Sequence, residues 1–536
     1  MKTPKRITRL LMLTIIFVSM AATSFSQVSQ QQMEKLQRAL QFIEFAYIEE
    51  LDDEKLVEDA IRGMLRELDP HSRYLSAEEL RRANEPLEGS FEGIGIQFDL
   101  IKDTIIVVSP IPGGPSEKVG LMPGDKIVYI NGEEAYGSNV TNEYVQQKLR
   151  GERGTEVEVS VYRVGAPELL DFTITRDQIP IHSVDAAFMA TSEIGYIKIN
   201  RFARTTLREV REAIRDLKSE GMTNLIVDLN YNSGGYLDVA IDLSDEFLER
   251  DQLIVYTEGH AAPRQEFKST SRGNFRKGKV VVLINEGSAS ASEIFAGAIQ
   301  DWDRGLIVGR RSFGKGLVQR PFELPDESAI RLTTAQYHTP TGRSIQKPYD
   351  EGTDQYYADL SNRLSSGELV SPDNITFPDS LKYSTKINGR AVYGGGGIMP
   401  DFFIPLDTAE VSDYYSRMLR RGILNTFGIE YTNRNRQTLS GQYDNVNDFI
   451  DNFHVDEALM GSLRDYAEDQ HNLVHNGEED EKSVEHMKRQ LKAQIARNLF
   501  DFSAYIQVVM QHEDYFKEAV RIIEDDTFER LQIRYE

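Results

Sequence analysis

The chain has 536 residues, 40% of them hydrophobic, which exceeds one ordinary domain and suffices for several cores. Its 85 acidic and 61 basic residues leave a formal net charge of −24, which repels phosphate backbones and anionic lipid and argues against nucleic-acid partners. The absence of cysteine excludes disulfides, thiolate nucleophiles, Cys-ligated metal sites and a lipid anchor on an N-terminal Cys.

Residues 1–26 stand apart. Lys2, Lys5, Arg6 and Arg9 precede an apolar run at 10–22, and small residues Ser24 and Ser26 follow. This is the pattern of a secretory signal peptide. The apolar run is shorter than the about 20 residues a membrane span needs, and an uncleaved anchor is the alternative. Either way the rest of the chain is expected outside the cytoplasm, in the periplasm or cell envelope.

Residues 27–87 read as a helical domain. Met33, Leu36, Leu40 and Ile43 recur at helical spacing, as do Leu56, Ala60, Ile61, Met64, Leu65 and Leu68. Asp69-Pro70-His71-Ser72 interrupts the pattern, and Ser76 with Glu79 can cap a further helix. Over 88–178 glycine becomes frequent and the pattern turns strand-like. Residues 104–109 are β-rich, Val157, Val159 and Val161 alternate with polar residues, and 139–149 predicts a short helix. That describes a compact module of short strands.

Residues 179–404 alternate strand and helix: a helix over 207–217, a buried strand at 224–229, a helix over 237–247, a strand at 279–284, a helix from Ser290 to Gln300 and a strand at 306–309. Such order predicts a largely parallel sheet that binds ligands beyond its carboxyl edge. Within this core, 347–393 is polar and reads as an insertion that could cover the mouth of the site. Residues 405–536 are charged and helical, with Met487, Leu491, Ile495 and Leu499 on one face.

Three segments can carry chemistry. The first, 285–293 (Asn-Glu-Gly-Ser-Ala-Ser-Ala-Ser-Glu), joins a buried strand to an Ala-rich helix. A serine there sits beside the free N–H groups of the first helical turn, which can hold an oxyanion. A helix start rich in capping serines is the plainer reading. The second, 312–319, sets Lys315 between Gly314 and Gly316 after the next strand, so both turns open on the same sheet edge. A buried lysine loses its proton readily and can act as a general base. A surface turn is the plainer reading, and the glycine spacing of a phosphate loop is missing. The third, Gly234-Gly235 after Asp228, lets backbone N–H groups face a ligand or merely permits a tight turn. Neither His260 nor His338 sits in a glycine-rich turn, and no His-Glu-x-x-His pattern occurs.

Together these segments resemble the C-terminal processing (tail-specific) peptidase family over roughly residues 65–346 and 397–401. Asp69 to Leu75 resembles the segment before that family's PDZ domain. Gly93-Ile94-Gly95-Ile96 resembles the PDZ carboxylate-binding loop, and Gly120 to Asp125 with Ile130-Asn131-Gly132 the later PDZ turns. Residues 339–346 and 397–401 are similar to core segments near the end of the catalytic domain. The resemblance implies a multidomain α+β chain: an N-terminal helical segment, a β-barrel-like PDZ domain, an α/β core of crotonase/Clp-like shape and a C-terminal helical extension. It implies Ser290 as nucleophile, Lys315 as general base and Gln319 as the residue orienting it. The oxyanion donors would be the N–H of Ala291 and one from Gly234 or Gly235. The PDZ loop would take the C-terminal carboxylate of protein or peptide substrates with apolar tails, beside Ile94, Ile96 and Phe98. No cofactor and no metal are implied.

Asn230 stands where the family often has arginine, and Ser233 where it often has proline. The insertion separates two usually adjacent motifs, and 405–536 lies beyond the match; its helices would pack on the core, or serve homo-oligomer or adaptor contacts. Two other classes remain: a catalytically silent PDZ scaffold of the cell envelope, and a crotonase-like acyl-thioester enzyme with an oxyanion hole but no serine nucleophile.

Overall fold

The computed structural model describes residues 29–535 apart from 102, 112, 164, 408–410 and 478–480. The signal segment expected over 1–26 lies outside them. Among the described residues no helix is long and apolar enough to cross a membrane. The chain divides into two compact units between Leu68 and Asp69. In the first, helices Gln30–Ala46 and Asp53–Arg66 start at Ser29 and Asp52, whose side chains accept N–H groups of the first turn.

The expected boundary at 87 is therefore corrected to 68. Strand Arg73–Leu75 pairs antiparallel with Ala329–His338, more than 250 positions later, and so belongs to the second unit. Helix Ala77–Glu88 follows, opened by the Ser76/Glu79 capping box that its sequence predicts.

The module expected to be a PDZ domain is a sheet in the order Ile96–Ile101, Thr104–Pro110, Lys126–Ile130, Glu156–Tyr162 and Leu170–Thr175, with helices Pro115–Lys118 and Asn142–Leu149. Alternation puts Val157, Val159 and Val161 into its core with Ile105 and Val107. Strand Ile96–Ile101 ends the sheet, so one of its edges lacks a strand partner within it.

The α/β core is built on six strands in the order Val184–Met189, Ile194–Ile199, Asn224–Asp228, Val280–Ile284, Leu306–Gly309 and Phe402–Phe403. All neighbours are parallel except the first pair. Val280–Ile284 shows why the run is apolar throughout. Val280, Val282 and Ile284 face helices Thr206–Ser219, Leu237–Asp245 and Ala291–Asp301, while Val281 and Leu283 face the other side. Of the apolar positions 207, 210, 214 and 217 that its sequence marks, helix Thr206–Ser219 buries Val210, Ile214 and Leu217, together with Ala213.

A second, antiparallel sheet was not foreseen. Strand Ala329–His338 pairs with Arg73–Leu75, Leu317–Glu323 and Leu253–Gly259, and the last with Ala262–Lys268.

The C-terminal extension packs in part as expected, with helices laid on the α/β core. The described residues of 413–500 form helices around a second core, to which Ala504 and Val508 of helix Phe502–Met510 also contribute. Helix Ile423–Gln442 reaches the expected PDZ module, where Asn425 donates to Asp99 at 2.7 Å. Residues 502–535 also form the outer layer of the α/β core. Ile506, Phe516, Ile522 and Phe528 pack on Tyr196, Ile226, Val281 and Leu283. Without them one face of the parallel sheet would meet water.

Candidate active site

Strand Val280–Ile284 delivers the chain to Ser290, the residue before helix Ala291–Asp301, with φ 54° and ψ −112°. A non-glycine residue there is strained by about 1–3 kcal/mol and persists only where its surroundings enforce it. They do so from three sides. The Ser290 N–H donates to Glu293 Oε2 at 2.7 Å, and the Ser290 carbonyl accepts from the Tyr337 hydroxyl at 3.0 Å. Gly234 presses against it so closely that a Cβ there would lie 2.8 Å from Ser290 Cβ and 3.0 Å from Ala291 N.

The turn at 229–235 is laced to the serine turn: Ala289 N and Ser292 Oγ both donate to the Asn232 carbonyl, and Tyr231 N to Asn285 Oδ1. Gly234 has φ +105°, and Gly235 is held over Phe202, whose carbonyl oxygen would sit 2.2 Å from an added Cβ. The Gly234 N–H already donates to Asn232 Oδ1 at 2.9 Å. Of the two glycines, Gly235 is therefore the better placed to donate to a ligand.

The lysine turn is bound to the serine turn by one buried carboxylate. Glu293 accepts from Ser290 N, Lys315 N, Gly314 N and the Ser312 hydroxyl. Burial pushes its pKa up to about 7 against these four donors. The Tyr337 hydroxyl reaches the Lys315 carbonyl at 2.6 Å as well as that of Ser290, and Phe313 N donates to the Ser288 carbonyl. Neither Glu293 nor Tyr337 was singled out from sequence. Tyr337 carries no local signal, because only the distant pairing of strand Ala329–His338 brings it here.

Burial lowers the Lys315 amine to a pKa of about 8, with the charges of Arg331 and Arg73 adding to the effect and Glu293 and Asp69 opposing it. Lys315 Nζ donates to Gln319 Oε1 at 2.9 Å, and Gln319 Nε2 donates to the His71 carbonyl. That carbonyl is fixed by Asp69, which accepts His71 N at 2.8 Å, Ser72 N at 3.0 Å and Thr333 Oγ1 at 3.0 Å. The Asp-Pro-His-Ser turn thus orients the lysine through two intermediates. The His71 ring is held neutral, pushed down to about 4 by burial and by the Lys315 charge, and pairs with the Tyr356 hydroxyl at 2.8 Å. Asp69→Ala should lower kcat on the order of 10–100-fold with little change in KM, the usual scale for a misplaced catalytic group. Its pH profile should move to lower pH, because the Asp69 charge raises the lysine pKa. Asp69→Asn, which keeps one acceptor oxygen, should retain more. An unchanged kcat in the alanine variant would remove Asp69 from the chain of support.

Ser290, Ala291, Gly234, Gly235, Lys315 and Gln319 line one cavity of about 510 Å³. No hydrogen bond joins Ser290 Oγ to Lys315 Nζ, whose partner is Gln319. Ser233 lines the same cavity, whereas Asn230 lines a different one of about 370 Å³ beside helices of the C-terminal region. The insertion does not cover the mouth. It braces the lysine turn from behind, with Tyr356 edge-on to Phe313 and Arg363 donating to the Ser312 and Arg311 carbonyls.

Gly93 ends strand Ser90–Gly93, Ile94 and Gly95 connect it onward, and Ile96 opens the edge strand Ile96–Ile101. The Ile94 carbonyl accepts from Ser116 N and Oγ, the Gly95 carbonyl accepts from Ile111 N, and Gly95 has φ +74°. The Ile94 side chain is 2% exposed in the domain's core, which corrects the expectation that it touches a bound tail.

Four stretches match known families: residues 193–354 Peptidase family S41, 93–174 a PDZ domain, 17–79 the Activating protease CtpB N-terminal domain, and 414–501 a family of unknown function. A Carboxy-terminal-processing protease of Bartonella bacilliformis is 38% identical over 337 residues, 62% of this chain and 76% of that protein. Carboxy-terminal processing protease CtpA of Bacillus subtilis is 37% identical over 323 residues, 60% of this chain and 68% of that one. CtpB of the same species is 36% identical over 324 residues, 60% and 67% respectively. The S41 and PDZ matches fall on the two domains that hold the serine–lysine cavity and the free-edged strand, and on this similarity the chain belongs to the carboxy-terminal-processing protease family.

Proposed function

We propose that this chain is an exported serine endopeptidase that cuts proteins presented by their C-terminal tails, using Ser290 and Lys315. One observation carries the reading: a serine in a strained helix-start turn and a lysine with a pKa of about 8 face one cavity. Neutral Lys315 takes the proton of Ser290 as its oxygen attacks the scissile carbonyl. The N–H groups of Ala291 and Gly235 hold the oxyanion. Lys315 then returns the proton to the leaving amine, and water hydrolyses the acyl-enzyme. Gln319 holds the amine until substrate draws it toward Ser290. The loop Gly93–Ile96 receives the tail carboxylate, and the tail adds a strand to the open edge of Ile96–Ile101, with Ile96 and Phe98 favouring apolar residues. Residues 1–26 direct the chain to the periplasm or cell envelope.

The test is proteolysis of an unfolded protein with an apolar C-terminus by the chain from Gln27. Since the base works only when neutral, kcat/KM should climb about tenfold per pH unit below 8 and level off above it. A chelator should have no effect. Inhibition by a chelator, or a plateau already reached near pH 6.5, would sink the assignment.

A further inference from the structure

The pairing of strand Arg73–Leu75 with Ala329–His338 sets Arg73 directly opposite Arg331. Like charges in that position repel, and a fold that gains nothing from them would place a carboxylate between. Here none is present: neither guanidinium has a hydrogen bond or ion pair among the described residues. The Arg331 pKa is lowered by burial and then by Arg73, so the repulsion is felt. A third guanidinium, Arg201, bonds only the amide oxygen of Asn200, at 2.7 Å. All three line the cavity that holds Ser290 and Lys315, and no Asp or Glu lines it. In a chain with 85 acidic residues and a net charge of −24, this is a concentrated positive site, with Asp185 acting on Arg201 from outside the cavity lining.

We propose that Arg73 and Arg331 form a carboxylate-binding subsite within the catalytic cavity, which selects substrates carrying an anionic group on the C-terminal side of the scissile bond. The side follows from proton transfer, and so rests on the Ser290/Lys315 reading. The leaving amine takes its proton from Lys315, and the segment beyond the cut therefore departs past Lys315. Arg331 and Arg73 are the cations whose charge acts on that lysine. Paired guanidiniums suit a carboxylate because each offers a planar fork of donors. The carboxylate is either an acidic side chain or, for a short leaving peptide, the chain's own terminus.

The experiment uses fluorescent peptides that differ only by Glu or Gln in the first three positions after the cut, each with a free or an amidated C-terminus. Binding is read by anisotropy on the Ser290→Ala chain, and cleavage on the Ser290 chain at its high-pH plateau. The Glu or free-carboxylate peptide should bind about 10–100-fold more tightly than its neutral counterpart, the scale of hydrogen bonds to a charged group. That ratio should fall to about one when Arg73→Gln or Arg331→Gln is added, and Arg331→Glu should shift the preference to Lys-bearing peptides. Loss of preference on Glu→Gln identifies an acidic side chain as the ligand, and loss on amidation the chain terminus. Equal binding of charged and neutral peptides overturns the subsite, as does a preference that survives both arginine substitutions and therefore belongs to the PDZ domain. If Ser290→Ala still cleaves, the nucleophile assignment fails while the binding ratios stand or fall by themselves.

Discussion

Replacing Ser290 by alanine is expected to lower kcat on the order of 10⁴–10⁶-fold, and Lys315→Ala by nearly as much, with folding intact in both. In the proposed mechanism the two residues act as one unit, because the serine oxygen attacks only as its proton passes to the amine. The double variant should therefore be no slower than Ser290→Ala alone, whereas independent contributions would multiply. Residual turnover over water would come from the oxyanion donors at Ala291 and Gly235. Rates from cleavage of an unfolded protein, with melting curves as the folding control, decide the matter. Full activity in either single variant would refute the pair as assigned. Loss in Ser290→Ala alone would keep the nucleophile and send the search for its base elsewhere.

The pair is not joined in this structure, and the geometry explains how it can remain so. Lys315 Nζ is retained by Gln319, which is tied in turn to the His71 carbonyl. The backbones of the two turns are already locked together through Glu293 and Tyr337. In the proposed mechanism the pair closes when the lysine amine leaves Gln319 for Ser290, while the bonds through Glu293 and Tyr337 keep the two turns together. A bound carboxylate between Arg73 and Arg331 would offset the two charges that lower the lysine pKa, so substrate itself adjusts the base.

Much of this was legible because it is local. Strand Val280–Ile284 is buried on both faces and reads as a continuous aliphatic run, and the small residues after it mark a helix start. The Ser76/Glu79 capping box is two residues at fixed spacing. The antiparallel sheet was not legible. Strand Ala262–Lys268 is largely exposed and polar, so its sequence looks like a loop, and strand Arg73–Leu75 is three residues whose partner is more than 250 positions away. For the same reason residues 502–535 read as generic amphipathic helices: periodicity shows that helix Asp514–Glu524 has an apolar face, but not that a parallel sheet covers it. Ser290, Lys315 and Gln319 came from motif order. The carboxylate that holds their turns together, the hydroxyl that spans them and the opposed arginines emerge only from tertiary pairing.

Glu293→Ala is expected to cost about 3–5 kcal/mol of stability, the usual price of removing one side of a buried charged cluster, and to abolish activity in whatever remains folded. Its carboxylate is fully buried and is the shared acceptor for Ser290 N, Gly314 N, Lys315 N and the Ser312 hydroxyl. Truncation leaves four donors facing a void, each unsatisfied donor costing about 1–3 kcal/mol where water does not replace the acceptor. Ser290 then loses the bond that holds its strained backbone, and the lysine turn its tie to the serine turn. Glu293→Gln separates shape from charge. It fills the space but turns an amide N–H₂ toward at least one backbone N–H, so thermal melting should still fall by several degrees. The sign of its pH effect discriminates further. The Glu293 charge raises the Lys315 pKa, and its removal should move the surviving activity profile below pH 8. A glutamine variant as stable as the parent, with an unmoved profile, would reduce Glu293 to an ordinary helix-cap residue and leave the strained Ser290 turn to be held by Tyr337 and Gly234 alone.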